Sequence, residues 1–264
     1  RKKGNMVEFF IAFRHVVERK FQSIFSVLGV AIAVTVFIVS LTVSNGLEKN
    51  MINSLLTMSP HILIKNKQNP FFEGYEETAE KLKKIKGVKA VIPQINSQSI
   101  IKFEGYAKGV LADGISPENV KNGLKLKMVS GSDNISELDS VLIGEEMAGE
   151  LRVKVGQQVS LISAENKEIK LTVRGIFKTG FLEYDSNVAV VPLRAMQILA
   201  EQGEAVTEMD IKVESPQKVE EVLKEVITVM NQKEYTVISW KTLNHNLLKA
   251  VQFEKFVLIA ILSL

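Results

Sequence analysis

Residues 21–47 read FQSIFSVLGVAIAVTVFIVSLTVSNGL, and none of the 27 carries a charge. As a helix rising 1.5 Å per residue, this run reaches about 40 Å, against roughly 30 Å for the hydrocarbon of a bilayer. It predicts a membrane-spanning helix with room to tilt. A secretory signal is one alternative, but its apolar stretch is shorter and ends at a small-residue cleavage site. Here the end, Ser40 to Gly46, has no clear A-x-A. A buried core helix is the other alternative.

Working outward, the flanks set the orientation. Residues 1–20 hold Arg1, Lys2, Lys3, Arg14, Arg19 and Lys20, whereas residues 48–67 hold only Lys49, Lys65 and Lys67. The excess of cations before the span predicts a cytoplasmic N-terminus and places the roughly 200 residues after Gly46 outside. Within MVEFFIAFRHVVERK, residues Phe9, Phe10, Phe13, Val16 and Val17 share a helical face, which predicts an amphipathic elbow on the cytoplasmic leaflet. A second apolar run, FVLIAILSL, starts at Phe256 and predicts a return to the membrane.

Inside the span, Gly29 and Ala33 lie four apart, as do Ser40 and Ser44, a spacing that lets helices approach closely. The absence of Asp, Glu, Lys and Arg argues against a proton or ion path along this helix. Leu47, Met51, Leu55 and Met58 continue a four-residue period until Pro60, which cannot extend a helix. Residues 46–58 therefore read as a stalk.

The body reads as two similar strand–helix–strand units. HILIK (61–65), YEETAEKLKKIKG and VKAVIPQI form one. MDIKVE (209–214), SPQKVEEVLKEVITVMNQ and YTVISW form the other, with Ser215 as the expected N-cap and Pro216 at the first helical position. Two such units predict a ferredoxin-like layer. Between them SIIKFEG, AKGVLADGI, SVLIG, QQVSLIS, EIKLTVRGIF and NVAVVPL alternate as short strands around one helix, EEMAGELR. The fold class is α+β. Its expected divisions are an elbow (1–20), a transmembrane helix and stalk (21–58), an extracytoplasmic domain (59–253) and the start of a second transmembrane helix (254–264). Within the domain, 59–97 and 205–240 form the α/β layer and 98–204 the β-rich insertion.

Catalytic signatures are missing. The net charge of +3 implies no nucleic-acid surface, and zero Cys excludes a disulfide scaffold, a thiolate zinc site and a cysteine nucleophile. There is no G-x-x-x-x-G-K-[ST], no G-x-G-x-x-G after a strand and no G-x-S-x-G. His15, His61 and His245 are scattered, and only His61 and His245 could meet. Glu145 and Glu146 open a helix, where the dipole stabilises them. Glu183-Tyr184-Asp185 sits in an expected loop without the aromatic residues that a sugar cleft needs. The chain is not expected to be an enzyme.

The segments VEFFIAFRHVVERKFQSIFSVLGVAIAV, VSNGLEKNM and SPHILI resemble the start of the lipoprotein-releasing-system permeases, within the MacB/FtsX-like class of ABC transporter permeases. VLIGEEMAGELRVKVGQQVSLIS and VRGIFKTGFLEYDSNVAVVPLRAMQIL are similar to the middle of that family, and VISWKTLNHNLLKAVQFEKFVLIAIL to its approach to the second membrane helix. The resemblance covers nearly the whole chain. It implies a permease subunit with a porter-like and a sabre-like part outside the bacterial inner membrane. It also implies a cytoplasmic ABC ATPase that binds ATP-Mg, a second permease subunit in a homo- or heterodimer, and membrane lipid around the helices. The implied cargo is a lipoprotein handed to a periplasmic carrier. Members that grip the carrier have an extended hook between two sabre strands. Here that connection is only SAENKEI, which fits a non-capturing partner or a related exporter. The alternative function is a MacB-like or FtsX-like mechanotransmitter that drives efflux or regulates a cell-wall hydrolase. Under the transport reading Gly29, Ala33, Leu47, Met51 and Leu55 are helix-interface candidates, and Phe25, Val36 and Phe37 are candidates for contact with acyl chains.

Overall fold

In the computed structural model, Arg14, residues 19–124 and residues 126–262 are described. The predicted elbow at 1–20 therefore lies almost wholly outside the described residues. The chain divides into two compact units, residues 1–50 with 246–264, and residues 51–245.

Helix α1 runs without interruption over Lys20–Met58. Its best apolar window has a mean hydropathy of 2.7 and no buried part, so it is not the core helix of a globular fold. Polar groups within it are folded inward. The Thr35 and Thr42 hydroxyls donate to the carbonyls of Ala31 and Ile38, both at 2.7 Å, which hides them from an apolar surrounding. The other helix of this unit, α7 (His245–Leu262), exposes Phe253, Phe256, Ile259 and Ile261. It starts eleven residues before the apolar run at Phe256 does.

The second unit is built on β1 (Ile62–Asn66), α2 (Tyr75–Lys83), β2 (Val88–Phe103), β9 (Glu208–Val213), α6 (Val219–Val229) and β10 (Tyr235–Ser239). The strands lie in the order β10-β1-β9-β2, each antiparallel to its neighbour. Each helix carries the chain over one intervening strand, which is the ferredoxin-like split βαβ arrangement. One sheet face presents Ile62, Ile64, Met209 and Ile211, all buried, and α2 and α6 contribute buried Leu82, Val219 and Val226. The expected cap at Ser215 is absent. A 3-10 turn, Pro216–Lys218, leads into α6, and Ser215 makes no capping hydrogen bond.

The insertion adds β3 (Tyr106–Ile115), β4 (Lys127–Gly131), β5 (Ser140–Gly144), α3 (Glu145–Leu151), β6 (Gln158–Ser163), β7 (Glu168–Lys178), α4 (Leu182–Asn187), β8 (Val188–Pro192) and α5 (Leu193–Ala200). These strands extend the same sheet as β2-β3-β8-β5-β7-β4, with β6 bridging β2 and β7. The side chains enclosed include Ile101, Val141, Ile143, Leu161 and Val173. VKAVIPQI and SIIKFEG, expected as separate strands, are one strand of 16 residues. Its first half pairs with β9, and its second half with β3 and β6. Pro93 is tolerated because it precedes Gln94, where pairing with β3 begins. Glu183-Tyr184-Asp185, expected in a loop, lies in α4. The buried Asp185 carboxylate accepts from the backbone of Thr179 (2.7 Å) and Gly180 (3.1 Å) and so ties down the preceding turn.

Candidate functional site

The residues singled out along α1 fall into two environments. Phe25, Gly29, Ala33, Val36 and Leu47 are exposed, and Phe37 and Met51 are half-buried. A Cβ placed on Gly29 would meet nothing within 4 Å, so that face is open to a partner helix or to lipid. Leu55 is only 4% exposed, and Leu56 beside it is buried too. Removing these two side chains from water contributes about 2 kcal/mol each at most. The helix end is thus embedded in the second unit.

The end of α1 is seated by one side chain 153 positions away from Ser59 and one only five positions from Leu56. The helix terminus leaves carbonyl oxygens without intrahelical partners. Lys212 on β9 is 5% exposed, and its Nζ donates to the carbonyl of Ser59 at 2.6 Å and to that of Leu56 at 3.4 Å. A cation at this terminus also complements the negative end of the helix dipole. His61 is 7% exposed, and its Nε2 lies 3.1 Å from the Leu56 carbonyl. Its Nδ1 accepts the Val213 N–H at 2.9 Å. An acceptor at Nδ1 and a donor at Nε2 define a neutral imidazole. Burial and the nearby Lys212 ammonium lower the His61 pKa to about 4, and burial lowers that of Lys212 to about 8 despite the favourable Asp210 charge.

The same face of β9 carries a buried acidic network. Gln94 Nε2 donates to Glu208 (2.6 Å) and Asp210 (3.2 Å), and Lys65 pairs with Glu208 at 2.8 Å. Asp113 on β3 is 3% exposed and accepts from Asn96 (2.7 Å) and the Tyr184 hydroxyl (3.3 Å). Burial, then the Glu208 charge, raises the Asp113 pKa to about 7 and pushes that of Asp210 far above the carboxylate range. These carboxylates are held apart by amides. Among the described residues no three His, Asp or Glu side chains converge as a metal site. His61 is a packing histidine, with both ring nitrogens engaged by the backbone of Leu56 and Val213.

In the other unit Glu48 of α1 and Lys255 of α7 form an ion pair, 26% and 30% exposed. It links the two helices of that unit across 207 positions.

A family model described as MacB-like periplasmic core domain matches residues 23–229. The chain belongs to that family. Within it, the lipoprotein-releasing system transmembrane protein LolC of Neisseria meningitidis serogroup B is 26% identical over 257 residues, covering 92% of this chain and 62% of that protein. LolC of Xylella fastidiosa strain 9a5c is 28% identical over 257 residues, covering 92% and 61%. LolE of Haemophilus influenzae is 25% identical over 207 residues, covering 73% and 50%. Among solved structures, the extracellular domain of the noncanonic ABC-type transporter YknZ from Gram-positive bacteria aligns with a TM-score of 0.49 at 18% identity, over 67% of this chain and 99% of that one. The chain spans about 60% of the length of its LolC relatives.

The MacB-like domain here has a short connection where a hook was sought. Residues 164–167 turn directly from β6 to β7, closed by Ser163 N–H to the Lys167 carbonyl at 2.9 Å. Asn166 takes a left-handed conformation at φ 63°, which asparagine tolerates. Sequence reading missed Lys212, His61, Glu48 and Lys255 as structural partners. The only hint was Pro60, which marks where the helix must end and where its terminus needs partners.

Proposed function

We propose that this chain forms part of a permease subunit of an ABC transporter that releases lipoproteins from the bacterial inner membrane. The observation that carries the reading is the family match at 23–229, which begins inside the exposed apolar helix and continues through the extracytoplasmic fold. The similarity to LolC and LolE proteins supports lipoprotein as the cargo. In this reading the N-terminus is cytoplasmic and the chain crosses the membrane more than once. A cytoplasmic ATPase binds and hydrolyses ATP, a second permease subunit completes the dimer, and this chain performs no chemistry. Gly29 and Ala33 face another helix, Leu47, Met51 and Leu55 carry movement outward, and Phe25, Val36 and Phe37 meet acyl chains. The test is reconstitution of the full-length permease with its ATPase in proteoliposomes containing a lipoprotein. ATP-dependent transfer of that lipoprotein to a soluble carrier supports the reading, and ATP hydrolysis without transfer refutes it.

The short β6–β7 turn favours a second reading, a mechanotransmitter that drives efflux or regulates a cell-wall hydrolase without gripping a carrier. Crosslinking in cells separates the two, because lipoprotein adducts favour release and hydrolase adducts favour regulation.

A further inference from the structure

We propose that Lys212 and His61 are positioning residues that lock the end of α1 to strand β9, so that displacement of the helix reaches the sheet through them. The proposal rests on the transport reading above and names the residues that serve it. Three observations meet at this place. The last turns of α1 are sunk in the second unit by Leu55 and Leu56. Their terminal carbonyls are held by the Lys212 ammonium and, at Leu56, by the His61 ring. Lys212 and Val213, which supply one bond to the helix and one to the ring, are adjacent on β9.

A helix end needs no such arrangement merely to terminate. A glycine in a left-handed conformation, or water, satisfies the last carbonyls of most helices. Burying an ammonium is costly and is offset only by close acceptors and an opposing charge, here the Ser59 and Leu56 carbonyls and Asp210. Here one bond from Lys212, and one relayed from Val213 through the His61 ring, tie the Leu56 carbonyl to a single strand. β9 lies between β1 and β2, and β2 continues into the insertion. A push or twist of α1 is therefore delivered to a strand that pairs with both β1 and β2. Lys89 at the start of β2 adds positive charge near Lys212 and His61, and Asp210 is the acidic side chain that opposes it.

The test uses the full-length permease with its partner ATPase in proteoliposomes. The readout is lipoprotein released per ATP hydrolysed, a ratio unaffected by a smaller amount of folded complex. Lys212→Met keeps the aliphatic stem and removes the donor. It is expected to lower the ratio about fivefold or more, the lower end of allosteric coupling, and Lys212→Arg to restore much of it. His61→Asn keeps an acceptor for Val213 and loses the donor to Leu56, and is expected to give a smaller drop. An unchanged ratio in both Lys212→Met and His61→Asn overturns the proposal. So does failure of both variants to assemble, which would assign these residues to folding alone. A wild-type complex that hydrolyses ATP but releases nothing overturns the transport reading instead.

Discussion

Acidification is expected to loosen the seat of α1 through a single imidazole. At neutral pH the His61 ring accepts the Val213 N–H at Nδ1 and reaches the Leu56 carbonyl from Nε2. A proton on Nδ1 would face another N–H donor and would bring a charge beside Lys212. In the folded domain the pKa is accordingly lowered from 6.5 to about 4. The unfolded chain therefore takes up this proton first. Stability is lost as pH falls through the window from 6.5 to about 4, and no further below it. Each unit of separation corresponds to about 1.4 kcal/mol, so the whole window is worth about 3 kcal/mol at most. Asp113, whose folded pKa is raised, slopes the opposite way across the same range, so wild-type data alone would mix the two. The clean measurement compares wild type with His61→Asn in urea titrations at pH 7.5 and pH 4, with the full chain in detergent. Trp240, the sole tryptophan, is 5% exposed and bonded to the Pro216 carbonyl at 3.0 Å, so its fluorescence reports unfolding of the domain. The stability gap between the two proteins should shrink by about 2–3 kcal/mol on acidification. A gap that stays constant between these pH values would refute the neutral, accepting ring.

Three further outcomes are expected. Asp113→Asn should remove a loss of stability that wild type suffers as pH rises from the carboxylate range through about 7, a gain of at most about 4 kcal/mol at pH 8 in the same urea assay. Gly144→Ala should destabilise the domain by about 3 kcal/mol or more, because its Cβ would lie 2.0 Å from the Asp185 backbone oxygen, and thermal unfolding would register the change. Reversing Glu48 and Lys255 singly and together should give a coupling energy of about 1 kcal/mol in a double-mutant cycle, weakening with added salt, with resistance to proteolysis at the α1–α7 pair as the readout.

Legibility in the sequence followed the range of the interaction. The long apolar helix was plain because 27 uncharged residues in a row carry no break or alternation. Both βαβ units were readable because apolar residues at period 2 and period 3.6 depend on neighbours only. Ser215 holds the N-cap position of the 3-10 turn with Pro216 after it, but its hydroxyl donates to the Gln217 side chain at 3.4 Å and caps no backbone N–H. β2 was read as two strands because the polar run Asn96–Gln98 looks like punctuation, and only its partners β9, β3 and β6 keep it extended. The seat of α1 left no trace beyond Pro60, which marks the helix end but not its partners. In EMDIKV the charged residues alternate with apolar ones, the usual mark of a face turned to water, yet Glu208, Asp210 and Lys212 are all buried. Nothing local distinguishes a solvated lysine from one that holds a carbonyl 153 positions earlier.

The 16 residues of Val88–Phe103 act like a beam common to two rooms. Its pairing with β9 ends, and its pairing with β3 begins, at the same residue, Gln94. The ferredoxin-like layer and its insertion, though separable on paper, are therefore joined by a continuous strand and not by a linker, inside one compact unit. A single strand thus gives both parts one shared edge, and a substitution that breaks its pairing at Gln94 would be felt on both sides.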